Sequence, residues 1–243
     1  MAEVSGEVSG AVSGEASGEG SGSVSGEVAP TVPQQFGSDA VRATLGRSAD
    51  VDSCLQLTRR IDALMTQAIE YFRKEGAQIA CRAECSFCCH LRVMVLPHEA
   101  IALFRFLGSR MPAEQAEGVR RRVLENAARV REGSATRAAC AFLMEGKCSA
   151  YEARPSACSG YHSLSKERCE SAYENRGGPA EGIPVSQAMR HVAASLDEGM
   201  QEGLAATGLS GMRMELHTAV AALIRDPAIS QRWRGGRPLV KEA

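Results

Sequence analysis

Apolar residues recur every three or four positions along most of the chain after residue 50, which is the spacing of an amphipathic helix. Glycine and proline bracket the resulting segments, as expected for helix ends: Gly76 follows the first segment and Pro97 opens the second. Val93–Leu96 reads as a short strand or an extended lead-in to that second helix. The pattern predicts helices over residues 50–75, 97–107, 112–131, 186–206 and 211–225. The predicted fold class is mainly α, with helices around irregular cysteine-rich segments.

The first 45 residues follow a different pattern. Residues 3–26 are six tetrapeptides that each end in Ser-Gly. The first 45 residues together hold six acids and no basic residue before Arg42. Glycine at every fourth position disfavours a helix, and the few valines cannot form a core. We therefore expect residues 1–45 to be a disordered acidic tail, and residues 46–243 to form a single domain with C-terminal helices.

Charge and hydropathy argue against two classes of partner. The formal net charge is −1, and no apolar run approaches the ~20 residues that span a bilayer. Arg120–Arg122 belong to a basic stripe without interleaved aromatic residues, so we interpret the stripe as a solvated helix face and expect no nucleic-acid partner. Glu3 and Glu7 stand where a secretion signal needs basic residues, which predicts a cytoplasmic protein without membrane association.

Cysteine is the residue type with a distinctive distribution. Eight of the nine cysteines lie between residues 81 and 169. Because cytosolic thiols stay reduced, soft-metal binding explains this density better than disulfides do. Thiolates select zinc or iron–sulfur clusters. The candidate metal ligands form two sets of four along the chain, namely Cys81, Cys85, Cys88 and Cys89, and then Cys140, Cys148, Cys158 and Cys169.

The spacing leaves the type of metal site open. Cys88 and Cys89 are adjacent, and adjacent side chains diverge along a regular backbone, so they suit two neighbouring metals or one tight irregular loop. Eight thiols allow two mononuclear sites, one multinuclear site, or one cluster with reserve thiols. Unrelated free cysteines and disulfides are the alternatives. Cys54 lies on the apolar stripe of the first helix, and we interpret it as a buried core residue.

Two histidines are weaker candidates as ligands. His90 directly follows Cys89, and His162 lies between Cys158 and Cys169. Mixed cysteine and histidine zinc sites are common. A surface or capping role is nevertheless the more usual one for each of these histidines.

Two blocks of sequence resemble the YkgJ-type cysteine-cluster family, a zinc- or iron-chelating domain known as CxxCxxCC. The first block is Cys81-Arg-Ala-Glu-Cys85-Ser-Phe-Cys88-Cys89, with a first gap of three residues instead of two. The second block runs from Cys140 through Gly146 and Cys148 to Cys158, and it includes Tyr151-Glu-Ala-Arg154-Pro155. The resemblance covers residues 81–169.

This resemblance implies a protein that binds zinc or iron, the latter either as an ion or in an iron–sulfur cluster. Flagellin lysine N-methylase is similar to the same family. The alternative is therefore an iron–sulfur-dependent enzyme, such as a lysine N-methylase-like transferase or an oxidoreductase. Whether the chain is an enzyme stays open. Arg154 could donate to the thiolates or pair with an acid such as Glu152, and Tyr151 is a candidate donor beside the metal. A metal ion is the expected partner, and any protein partner stays open.

Overall fold

A computed structural model describes residues 31–82, 84–133, 138–175 and 182–240. The tetrapeptide repeats at residues 3–26 lie wholly outside these residues, as do residues 1–30 of the predicted tail. Helices dominate the described part of the chain, which confirms the mainly α class. They are α1 Val32–Leu45, α2 Val51–Lys74, α3 Pro97–Ser109, α4 Ala113–Arg131, α5 Ser156–Ser159, α6 Lys166–Glu174, α7 Gln187–Ala206, α8 Leu216–Arg225 and α9 Ile229–Arg234.

The remaining elements are short. Two two-residue antiparallel pairs form, in which β1 Met94–Val95 pairs with β4 Met214–Glu215, and β2 Leu143–Met144 pairs with β3 Lys147–Cys148. Two 3-10 helices cover Phe87–His90 and Tyr151–Ala153. These elements connect the helices to the cysteine-bearing segments.

Local sequence explains why α2 begins and ends where it does. The Asp50 side chain accepts a hydrogen bond from the backbone N–H of Ser53 at 2.7 Å, which caps the helix. Gly76 has a φ of +90°, a conformation that favours glycine and that stops the helix. Cys54 is fully buried on the inner face of α2. The predicted helix and the predicted core role of Cys54 are therefore both confirmed.

The expected extent of the tail is wrong at its C-terminal end, because residues 32–45 form α1. Thr31 and Gln34 make a capping box, and Val41 and Leu45 are buried. The helix packs closely on α7: a Cβ added at Gly199 would lie only 1.9 Å from the Gln34 carbonyl oxygen. Sequence pattern missed α1 because its stability comes from α7, which lies more than 150 residues away.

The helix predicted from residue 211 begins later than expected. Residues 214 and 215 are the strand β4, and α8 starts at Leu216. Glu215 caps α8 by accepting a hydrogen bond from the backbone N–H of Thr218 at 2.8 Å. The Leu216 N–H extends the β1–β4 ladder to the Val93 carbonyl at 2.9 Å. Strand pairing with β1 therefore takes precedence over the helical pattern here.

The core lies between α2, α3, α4, α7 and α8. It includes the fully buried Trp233 of α9, whose indole N–H donates to the Ser210 carbonyl at 2.9 Å.

The second cysteine segment is more regular than expected. Cys148 lies on β3, Cys158 on α5 and Cys169 on α6.

Candidate metal centre

Both cysteine segments meet at one cavity of about 380 Å³. Six of the eight candidate cysteines line it, and they come from both segments: Cys85, Cys88, Cys89, Cys140, Cys148 and Cys158. All nine cysteines lie in the described residues, and none forms a disulfide. The fold therefore gathers thiols that are up to 73 positions apart along the chain.

The 3-10 helix Phe87–His90 carries the adjacent cysteines of the first segment. Its tight turn allows both Cys88 and Cys89 to line the cavity. The Cys89 carbonyl accepts a hydrogen bond from the Cys140 N–H at 2.8 Å. This backbone contact joins the two segments directly at their cysteines.

The second segment reaches the cavity through a hairpin and a short helix. Glu145 and Gly146 both have positive φ in the turn between β2 and β3, which brings Cys148 opposite Leu143. Arg154 is extended before Pro155, as predicted, with φ −64° and ψ 137°. The turn leads into α5, where the Cys158 N–H donates to the Pro155 carbonyl at 2.9 Å.

The buried carboxylate of Glu99 fixes the start of α5. One oxygen, Oε1, accepts hydrogen bonds from the backbone N–H and the hydroxyl of Ser156, both at 2.7 Å. The other oxygen, Oε2, accepts from the backbone N–H of Leu96 at 2.8 Å. Glu99 thus ties the helix that carries Cys158 to α3. Sequence reasoning missed this role because the two residues are 57 positions apart.

Side chains of α4 and α8 hold the peptides on both sides of Cys140. Arg122 donates twice to the Ala141 carbonyl, at 3.0 and 2.9 Å, and Asn126 donates to the Ala139 carbonyl at 2.8 Å. The Ala141 N–H donates to His217 Nε2 at 3.1 Å, and His217 Nδ1–H donates to Glu215 at 2.8 Å. Arg122 is therefore a partly buried positioning residue, which corrects the interpretation of it as part of a solvated face. His217, which had no predicted role, belongs to the same network.

Cys81 and Cys169 lie beside the cavity instead of lining it. The Ser163 N–H donates to the Cys81 sulfur at 3.2 Å, and Cys169 is buried on α6. Burial raises the pKa of Cys81, and the nearby thiols of Cys85, Cys88 and Cys169 raise it further. Cys169 is thus a neighbour of the first segment, although it follows the second segment in sequence.

Burial dominates the electrostatics of the cavity thiols. It raises the pKa of Cys140 and of Cys148 to about 11, while hydrogen bonds from the backbone N–H groups of Phe142 and Ala150 act in the opposite direction. Burial also raises the pKa of Cys158, and the thiols of Cys140, Cys148 and Cys88 add to that effect. A metal ion that binds here must therefore displace protons.

Cys88 influences both the thiols that line the cavity and the thiols that lie beside it. A hydrogen bond with Cys89 is the largest cause of its raised pKa, followed by burial. The Cys88 thiol raises the pKa of Cys81 and Cys169, which lie beside the cavity, and also the pKa of the lining residues Cys140, Cys148 and Cys158. The cavity therefore combines Cys88 and its neighbours in the first segment with cysteines of the second segment, and Cys81 and Cys169 lie beside it.

The donor chemistry fits a soft metal, but the sulfurs have not converged on one point. Among the described residues, no three His, Cys, Asp or Glu side chains form a group arranged to hold a metal ion. Backbone N–H groups already bond to the sulfurs of Cys81, Cys140 and Cys148, which favours their thiolate form. The residues present therefore fit thiolate ligation by their chemistry, although their sulfurs are not grouped around one point.

Arg154 and Tyr151 both line the cavity. Arg154 Nε donates to Asp62 of α2 at 2.5 Å, and its guanidinium stacks 4.1 Å from the centre of the Tyr151 ring. Glu152, the acid considered for Arg154 from sequence, pairs instead with Arg59. Arg154 is therefore held beside the thiols by an acid and an aromatic ring.

The histidines differ in their surroundings. His162 Nε2–H donates to the Ser159 carbonyl at 2.7 Å, which is the expected capping role. His90 packs edge-on against Tyr173, with ring centres 4.6 Å apart, and its Nδ1 is buried without a partner. Neither lines the thiol cavity.

Comparison with known protein families points to the same segment. The family model CxxCxxCC, described as "Putative zinc- or iron-chelating domain", matches residues 80–180. The match contains all eight candidate cysteines together with Tyr151 and Arg154, and it leaves out Cys54. Searches of curated proteins and of solved structures return no match. In the described part of the chain, no helix has the length and apolar character to cross a membrane.

Proposed function

We propose that the chain, whose residues 80–180 match the CxxCxxCC family model, chelates zinc or iron through the thiolates of its eight clustered cysteines. These ligands are Cys81, Cys85, Cys88, Cys89, Cys140, Cys148, Cys158 and Cys169. Helices on both sides of the domain serve as the scaffold. The thiols need a reducing compartment such as the cytoplasm.

One observation carries the proposal. Six thiols from two distant segments line a single cavity, and no carboxylate of the described residues lines it with them. Sulfur donors without oxygen donors favour zinc, or iron in a sulfur-rich centre, over magnesium or calcium. Hydrogen bonds from backbone N–H groups to several of the sulfurs support their role as thiolates.

The neighbours of Cys88 suggest how the ligands divide. Cys140, Cys148 and Cys158 line the cavity together with Cys88, whereas Cys81 and Cys169 lie beside the cavity and are electrostatic neighbours of both Cys85 and Cys88. We propose that Cys88 and Cys89 complete both groups. Each group then contains cysteines of the first segment and at least one cysteine of the second segment. A metal bound to either group would therefore tie residues 81–89 to the rest of the domain.

Metal binding also accounts for how these segments hold together. The segments contain only short elements, and metal ligation would add folding free energy to them. We expect removal of the metal by a strong chelator to lower the melting temperature of the whole chain. A melting curve that is unchanged after complete removal would contradict a structural role.

An iron–sulfur-dependent enzyme, of the transferase or oxidoreductase type, is the second candidate. The cavity favours it, because about 380 Å³ beside the thiols leaves room for a second molecule. When bound, an iron–sulfur cluster would supply electron transfer. Colour separates the two candidates, since iron–sulfur proteins absorb visible light and zinc proteins do not.

The proposal is tested by metal analysis of protein purified without oxygen. We expect at least one zinc or iron per chain. Cys88→Ala, which removes the thiol shared by both groups, should lower the metal content by half or more. Cys54→Ala serves as the matched control, because Cys54 is buried in α2 away from the cavity and should leave the content unchanged. Equal metal content in all three proteins would contradict the ligand assignment.

A further inference from the structure

The cavity at the thiols has the size and the apolar lining of a small-molecule pocket. Its volume of about 380 Å³ falls within the range of roughly 300–1,000 Å³ that is typical of such pockets. A structural zinc site, by contrast, is closed around its four ligands. The space at the thiols is therefore larger than a metal ion alone requires.

Apolar side chains form the remaining walls and the mouth. Leu103, Phe142 and Leu216 line the cavity together with the thiols. Met94 and Tyr151 also line it, and they are 43% and 50% exposed. They are two of the five large hydrophobic residues that are exposed in the described part of the chain. These two residues add exposed apolar surface beside the cavity, where a ligand would bury it.

Apart from the thiols, the charged side chains that line the cavity in the described part of the chain are all positive. Arg92, Arg154 and Arg213 line the cavity, and no aspartate or glutamate of the described residues does. Arg154 pairs with Asp62, and Arg213 pairs with Asp197, which both lie outside the lining. Arg92 is exposed and has no acidic partner among the residues that the structure describes. It is thus available to a ligand.

We propose that this cavity binds a small organic anion. The apolar part of the ligand packs between Phe142, Leu216 and Met94, and its anionic group binds Arg92 at the rim. A guanidinium suits a carboxylate or a sulfonate because it donates two parallel hydrogen bonds. The inference rests on the proposed function only in that the thiols form one wall. It adds a ligand of defined charge to a site otherwise assigned to a metal.

The test uses the full chain as purified, with 8-anilinonaphthalene-1-sulfonate as the fluorescent probe. Saturable binding of one probe per chain is expected. 3-Phenylpropanoate should displace the probe, whereas 3-phenylpropylamine, which has the same ring and the opposite charge, should not. Arg92→Glu should weaken probe binding about tenfold. Arg121→Glu is the control, because it changes the net charge equally at an exposed position of α4 that does not line the cavity.

Three results would overturn the inference: no saturable probe binding, displacement by the amine as readily as by the carboxylate, or equal weakening by both charge reversals. Metal content measured on the same samples keeps this inference separate from the proposed function. A metal-free protein that still binds the probe through Arg92 would refute chelation and support the pocket. A metal-loaded protein without probe binding would do the reverse.

Discussion

Glu99 offers a sharp test of how the fold positions Cys158. Its carboxylate is only 2% exposed and accepts three hydrogen bonds, two from Ser156 and one from Leu96. Glu99→Gln keeps the side-chain volume but replaces one acceptor oxygen with an NH₂ group. Because an NH₂ group cannot accept these bonds, at least one buried donor must lose its partner.

The magnitude follows from these contacts. A buried donor without an acceptor costs about 1–3 kcal/mol, and the remaining bonds weaken because their acceptor is no longer charged. We therefore expect Glu99→Gln to lower the free energy of unfolding by about 3 kcal/mol. For a chain of this length, that corresponds to a drop in melting temperature of roughly 10 °C.

Urea unfolding at pH 7, with protein and metal concentrations held constant, measures the effect. Glu152→Gln is the matched control, because Glu152 is exposed and pairs with Arg59 at the surface. Such surface pairs contribute only about 0–1 kcal/mol. If Glu99→Gln is no more destabilising than Glu152→Gln, Glu99 does not support the start of α5 as described.

Three further predictions concern other parts of the molecule. Gly199→Ala forces a methyl group against the backbone of α1 and should lower the free energy of unfolding by about 3 kcal/mol. The control Gly108→Ala, in open space on α3, should leave it unchanged or raise it by up to about 1 kcal/mol, and equal midpoints in urea would refute the close packing. Burial lowers the pKa of His98, so below about pH 6.5 the unfolded chain takes up a proton that the folded chain does not. The free energy of unfolding should therefore decrease as the pH is lowered below about 6.5, by up to about 1.4 kcal/mol per pH unit. His98→Leu should flatten this decline when urea midpoints are compared at pH 5.5 and 7.5, and an unchanged decline would contradict the assignment. Arg154→Ala removes the guanidinium held beside the thiols. In competition with a chelator, the variant should retain metal about tenfold more weakly. Unchanged retention would show that Arg154 only stabilises the fold.

Sequence was informative where one short segment determines the structure. Asp50 and Gly76 mark the ends of α2 because capping depends on nearby residues. The dense cysteines and the Arg154-Pro155 turn likewise indicate thiol chemistry and a backbone bend without knowledge of the fold. The family match at residues 80–180 confirms the resemblance read from these motifs.

Contacts between distant segments could not be predicted in the same way. The α1 helix depends on α7, and the start of α8 depends on β1. The approach of Cys169 to the first cysteine segment depends on where α6 packs, since that helix contacts the 3-10 helix Phe87–His90. Arg122 and His217 carried no signal in the sequence, because their partners are backbone groups beside Cys140.

X-ray absorption at the metal edge tests the central claim most directly. The measurement reports the atoms bound to the metal in protein purified without oxygen. Thiolate chelation predicts a first shell of sulfur alone, at about 2.3 Å if the metal is zinc. A first shell dominated by nitrogen or oxygen at about 2.0–2.2 Å would contradict the assignment of the clustered cysteines as ligands.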